Sequence, residues 1–291
     1  MPNFVKDEEE QQKIANFLTE NCEFLKTYFI IHSSASYFPV IRWLYYAPMV
    51  TDWNIFDQQF KVSEVDRIFI AVKNIKQELR GKVSENDMSR FQFYESLVRI
   101  AQFKYKNPAI TETVYDGVVK LVNEVLLPKY NNYIWMGWRV DNLWTLEVDD
   151  LYKTNLKAME KLYRYFFKAR KKTTFHMEDA VDMFTHEVQL DLLPEQITQC
   201  WGLSKMTVNN DIKQRDQYFR VTFVEFLEFF ARMSELKFKD GPHKNESLVE
   251  KICLLMDLVF PIVAAKRKEV KIEIEYVSVS EEELDEDRYF M

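Results

Sequence analysis

When the chain is slid along itself by an offset of 133, two long segments fall into register. Arg99-Ile100-Ala101 lands on Arg232-Met233-Ser234, Lys104-Tyr105-Lys106 on Lys237-Phe238-Lys239, and Asn107 on Asp240. The register continues without a gap, Val122 on Leu255, Val125 on Leu258 and Pro128 on Pro261. Upstream, a shift of 132 aligns Val65 with Ile197, Ile68 with Cys200, Phe69 with Trp201 and Lys73 with Lys205. A shift of 137 aligns Leu25 with Leu162, Tyr28 with Tyr165, Phe29 with Phe166 and Phe38 with Phe175. Four segments in the same order at nearly equal offsets are the mark of a tandem duplication, which obliges both halves to fold alike. The division that follows is module A over 1–128, a linker over 129–146, module B over 147–262, and an extension over 263–291 with no counterpart.

Both modules read as helical, so the expected fold class is all-α. Only five glycines and eight prolines in 291 residues disfavour a fold built on tight turns. Ile14, Phe17, Leu18, Phe24, Leu25, Tyr28 and Phe29 fit one stripe of a single long helix. Ser63 and Glu64 open a helix carrying Val65, Ile68, Phe69 and Val72, and Pro194 opens its counterpart. Phe91, Tyr94, Leu97, Val98 and Ala101 share a face, as do Phe223, Phe226, Leu227, Phe230 and Met233. Thr111 and Asn245 are the expected caps of the closing helices, and Pro128 the expected end of the first. Beyond them, alternation in "KIEIEYVSV" predicts an extended arm with Ile272, Ile274 and Tyr276 on one face.

Paired helix–loop–helix units with an exiting helix that reads Phe223-Val224-Glu225-Phe226-Leu227-Glu228 resemble the EF-hand superfamily. The resemblance places Val221 at the branched position inside a loop and Glu225 at loop position 12. The stretches "FLEFFARM" and "YESLVRIAQFKY" are similar to EF-hand-derived proteins of ciliary axonemes. Calcium is argued out by the same alignment. Such a loop needs oxygen ligands at positions 1, 3 and 5, Gly at 6 and a bidentate Glu at 12. Module B supplies Gln214, Asp216, Tyr218, Phe219 and Glu225, and module A supplies Gly81, Val83, Glu85, Asn86 and Gln92. Around "KARKKTTFHMED" the ligand places hold Lys168, Arg170, Lys171 and Lys172, which repel a cation. Glu225 and Glu228 are then either solvated helix charges or partners for a nearby Arg or Lys.

No catalytic constellation competes with this reading. His32, His176, His186 and His243 are scattered and read as surface or loop residues, without metal-ligand spacing. Cys22, Cys200 and Cys253 form neither a disulfide framework nor a zinc motif. Glycine-rich phosphate loops and nucleophile elbows are missing from the sequence, so neither an enzyme nor a cofactor is expected. A net charge of −7 gives nucleic acid no basic face, and no apolar run reaches bilayer length. What remains is a cytoplasmic protein that binds proteins, in a ciliary axoneme or another microtubule assembly by resemblance, with tubulin among the partners so implied. The competing expectation is a calcium-responsive regulator with unconventional loops. Candidate contact residues are Tyr133, Trp135, Trp138 and Trp144 of the aromatic linker, with Ile272, Ile274 and Tyr276 of the arm. The cluster Lys266-Arg267-Lys268 suits an acidic partner surface, while the acidic end from Glu281 reads as a solvated tail.

Overall fold

A computed structural model describes residues 4–74, 86–106, 110–130, 135–168, 174–205, 208 and 210–269, with side chains 130, 135, 136, 166–168 and 266–269 left aside. The chain is mostly helical. Its first half runs α1 (Glu8–Glu20), α2 (Cys22–Ser36), α3 (Trp43–Asp52), α4 (Val62–Lys73), α5 (Arg90–Tyr105) and α6 (Val114–Lys120), which passes through a π-helical turn, Leu121–Leu126, into α7 (Leu127–Tyr130). A short α8 (Trp135–Trp138) and a second π turn, Arg139–Leu143, lead into α9 (Leu146–Thr154), α10 (Leu156–Lys168), α11 (Met177–Asp182), α12 (Pro194–Ser204), α13 (Phe223–Lys237) and α14 (Leu248–Glu269). From α9 the helix order repeats that from α1.

The repeat offset recurs in the loop pairing. In the second half β1 (Phe175–His176) pairs antiparallel with β2 (Arg220–Val221), Phe175 opposite Val221. In the first half Ile41 makes a single antiparallel bridge to Met88, the residue that the shift of 133 lays on Val221. Phe38, aligned with Phe175 by the shift of 137, is not the bridging residue; Ile41 is.

Several local expectations are corrected. The single helix predicted across Asn21 is two, because Asn21 leaves helical geometry at φ −96°, ψ 14° and its N–H bonds back to Phe17. Thr113, not Thr111, caps α6 by accepting the Asp116 N–H, while the Thr111 hydroxyl donates to the Tyr105 carbonyl. Ser247, not Asn245, caps α14, in a reciprocal pair with Glu250. Pro128 does not end its helix: α7 passes it, as α14 passes Pro261 to Glu269. Residues 263–269, expected to begin the extended arm, are therefore the last turns of a helix. Ile272, Ile274 and Tyr276 lie outside the described residues.

Two apolar clusters form. One runs from Val5 to Leu126; the other from Leu143 to Val263, and it takes in Ile30 and Phe38 from the first half. Helix α2 serves both. Leu25, Tyr28 and Phe29 face the first cluster, while Ile30 faces the second. On that second side α2 lies against α12 at Gly202, where a Cβ would stand 2.8 Å from Ile30 Cγ2 and 2.9 Å from Phe38 Cε2. Small Ser34, whose hydroxyl bonds back to Ile30 O at 2.7 Å, completes the close approach. Gly202→Ala is expected to lower stability by about 1–3 kcal/mol, the usual cost of overpacking, and chemical denaturation should register it as a lower midpoint at unchanged slope.

Candidate functional site: closed loops and a buried ion cluster

Glu225, which the sequence alignment puts at the last ligand place of a metal-binding loop, is engaged by the protein's own hydrogen bonds. Thr222 caps α13 and Glu225 reaches back to it: Glu225 Oε2 accepts from the Thr222 N–H at 2.9 Å, and Thr222 Oγ1 accepts from the Glu225 N–H at 3.3 Å. Lys205, at the end of α12, donates to the same Oε2 at 2.7 Å and to the Arg220 carbonyl at 2.5 Å. Both side chains are almost wholly buried, 3% exposed for Lys205 and 4% for Glu225. A tethered ammonium thus sits on the carboxylate at the exiting helix. Asp216 turns away, 85% exposed with Arg220 as neighbour at 3.7 Å, and Tyr218 is buried in the core. These oxygens do not converge. Among the described residues no three His, Cys, Asp or Glu side chains are placed to hold a metal ion.

The first half repeats the arrangement with a neutral side chain. Gln92, which the shift of 133 lays on Glu225, accepts from the Ser89 N–H at 2.9 Å and from its hydroxyl at 2.8 Å. Its Nε2 donates to the Val72 carbonyl at 3.0 Å, which anchors α5 to α4. Lys73 donates to the Asp87 carbonyl as Lys205 does to that of Arg220, and the same shift lays Asp87 on Arg220. Gly81, Val83 and Glu85 of this loop lie outside the described residues.

Below the second loop sits a larger ion cluster. Glu228 is 1% exposed and is held by two guanidiniums. Arg139 Nε lies 2.9 Å from each of its oxygens, and Arg232 Nε donates to Oε1 at 2.8 Å. Glu225 and Glu228 are thus the buried partners of Lys and Arg, not solvated charges. One turn-pair of this cluster also recurs: Arg99 Nε donates to Glu95 Oε1 at 3.0 Å, with both side chains mostly buried. An aromatic ring lies over each repeated arginine, Phe4 over Arg99 at 4.2 Å and Trp138 over Arg232 at 4.1 Å. Trp138 therefore packs the second half as Phe4 packs the first.

The other expected contact residues separate. Trp144 is 55% exposed, beside Val140 and Leu146 at 57% and 70%. Tyr133 and the side chain of Trp135 lie outside the described residues. Arg139, between Trp138 and Val140 in the linker, carries no sequence signal of its burial, because Glu228 is 89 residues away. Lys73 and Lys205 stood out only as an aligned pair.

Between the halves, Arg90 crosses to Asp211 at 3.0 Å and to the Val208 carbonyl at 3.2 Å. Asp211 also accepts the Arg90 N–H at 3.2 Å, placing a carboxylate at the start of α5. Lys26 on α2 lies close by; burial, then the Arg90 and Arg139 charges, push its pKa down to about 8. His32, expected at the surface or in a loop, is instead on α2 with its ring 4.4 Å from that of Tyr28, and burial takes it down to about 4.

No family model, curated protein or solved structure matches this chain. No helix among the described residues is long and apolar enough to cross a membrane.

The buried ions have consequences for stability. Lys205→Met removes the ammonium bonded to the buried Glu225 carboxylate and is expected to lower stability by about 1–5 kcal/mol, with part of the loss recovered in Lys205→Met/Glu225→Gln; denaturant titration of the three proteins checks this. For Lys26, a native pKa near 8 against 10.5 unfolded means that the native state binds fewer protons between those values. Its contribution therefore makes stability rise with pH across that window, and denaturation at successive pH values should show the rise vanish in Lys26→Met.

Proposed function

We propose that this protein is a non-enzymatic adaptor, whose two EF-hand-like modules hold a single conformation without calcium and bind partner proteins. The observation that carries the reading is Lys205 seated on Glu225 at 2.7 Å, with both groups buried. An ammonium in that place supplies the positive charge a metal would bring, yet it is covalently tethered and cannot leave. Binding to partners is then constitutive, since no ion has to arrive to expose a surface. The repeated Lys73 contact to the Asp87 carbonyl supports the same lock in the first half. Exposed Val140, Trp144 and Leu146, close in sequence, are large apolar side chains that a protein partner could cover, which supports a protein-contacting role. The axonemal or microtubule setting, with tubulin as one partner, rests on the helix resemblance.

Calorimetric titration of the full chain with calcium is expected to give no saturable heat, and partner capture by proximity labelling in cells should persist when calcium is chelated. Stoichiometric uptake in the micromolar range would defeat the proposal and favour a calcium-responsive regulator.

A further inference from the structure

Between residues 140 and 150 the chain turns one apolar set inward and a second outward. Leu143 and Val148 are buried in the second cluster, whereas Val140, Trp144 and Leu146 are exposed. The Trp144 N–H donates to the Arg139 carbonyl at 2.7 Å, closing the π turn Arg139–Leu143 and bringing Val140 and Trp144 to one side of it. The buried Arg139 guanidinium stands 5.9 Å from the centre of the Trp144 ring, so the indole rests against a fixed group. Thr145 then caps α9 by accepting the Val148 N–H at 3.4 Å, and Leu146 is the first residue of that helix. Two peptide units keep the Trp144 and Leu146 Cα atoms within about 7 Å of each other.

The charges beside these side chains are of one sign. Asp141 follows Val140, Glu147 follows Leu146, and Asp150 lies one turn beyond Leu146 on the same face of α9. All three are exposed, and none makes an ion pair among the described residues. Lys153, the one basic side chain of α9, is taken by Asp149 at 2.5 Å. The helix dipole accounts for Glu147, in the first turn of α9, but not for Asp141 before the helix or Asp150 past that turn. An exposed apolar trio edged by unpaired carboxylates is complementary to apolar side chains flanked by cations.

Resting on the adaptor reading, we propose that this surface seats a basic amphipathic segment of a partner protein. The segment's apolar side chains pack on Val140, Trp144 and Leu146, and its Lys or Arg side chains pair with Asp141, Glu147 and Asp150. Trp144 is the anchor, since a large ring already held in place loses little freedom on binding. Nucleic acid and anionic membrane surfaces carry the same sign of charge as these carboxylates and are repelled.

The test uses the full chain and a fluorescently labelled peptide of lysines and leucines at helical spacing, read by anisotropy. Saturable binding that weakens with added salt is expected. Trp144→Ser/Leu146→Ser should lower affinity by about tenfold or more, and so should Asp141→Asn/Glu147→Gln/Asp150→Asn, which also flattens the salt dependence. All five positions are exposed, and matching melting curves confirm that the variants fold. A control, Glu281→Gln/Glu282→Gln/Glu283→Gln, should leave binding unchanged. The proposal is overturned if no saturable binding occurs, if neither surface variant changes affinity, or if a peptide with its leucines replaced by serine binds equally well. It is also overturned if only the control loses binding, which assigns the peptide to the chain's own acidic end. Self-association in sedimentation that both surface variants abolish overturns it as well, by assigning the surface to a second copy. Undiminished partner capture in cells by the surface variants would reject this surface and leave the adaptor reading standing. Calcium uptake would reject that reading while leaving the peptide result intact.

Discussion

Helix α2 packs against α12 at Gly202, and the two halves hold together around that approach. One face of α2 completes the apolar cluster of the first half through Leu25, Tyr28 and Phe29, while Ile30 reaches into the second. The geometry is possible because Gly202 has no side chain where Ile30 and Phe38 already stand at 2.8 and 2.9 Å from a Cβ. A helix surface without a Cβ lets a neighbour come closer than normal side chains allow, and close-packed interiors cannot absorb an added methyl freely. The Arg90–Asp211 pair is a second tie between the halves, since Arg90 is held by both a carboxylate and a backbone carbonyl. Lys26 is placed by the same packing, among guanidiniums that depress its pKa.

The loops follow a different logic from the core. At the start of α13 a capping box needs only Thr222 and Glu225, and it forms wherever a helix begins with such a pair. Glu225 is nevertheless buried, and a buried carboxylate requires a partner. Lys205 provides it from the end of α12, tying two helices together through one oxygen. In the first half the cap is Gln92, which is neutral and requires no counter-charge, and its amide anchors the Val72 carbonyl instead. The two halves thus share a backbone plan while differing in charge. Each lysine still donates to the carbonyl just before the bridging residue, so the loop closes the same way in both.

The cluster around Glu228 separates the halves further. Glu95 and Arg99 form the corresponding pair in the first half, 27% and 21% exposed, where solvent screens it more than its buried counterpart. In the second half the linker folds over, adding Arg139 and Trp138 and removing the pair from water. Desolvation makes the same two residue types much more consequential, because an incompletely matched buried charge is costly.

Helical class was legible in the residues, because apolar spacing depends only on local periodicity. So was the poverty of the loops in calcium-ligand types, which can be read position by position. Caps were read two residues off, at Thr113 and Ser247, because neighbouring Thr, Ser and Asn compete for the same donors and only the finished turn decides among them. The passage of helices through Pro128 and Pro261 was not legible either, a proline being a break in isolation and tolerable where packing holds the helix on both sides. Sequence alone therefore determined a mostly helical chain whose halves contain segments that align at nearly equal offsets. Tertiary structure alone decided that Glu225 and Glu228 are buried, that Lys205, Arg139 and Arg232 are their partners, and that Trp138 lies over Arg232. Those contacts join residues from different helices, and the cost of removing a charge from water is set by what surrounds it, which no local pattern encodes.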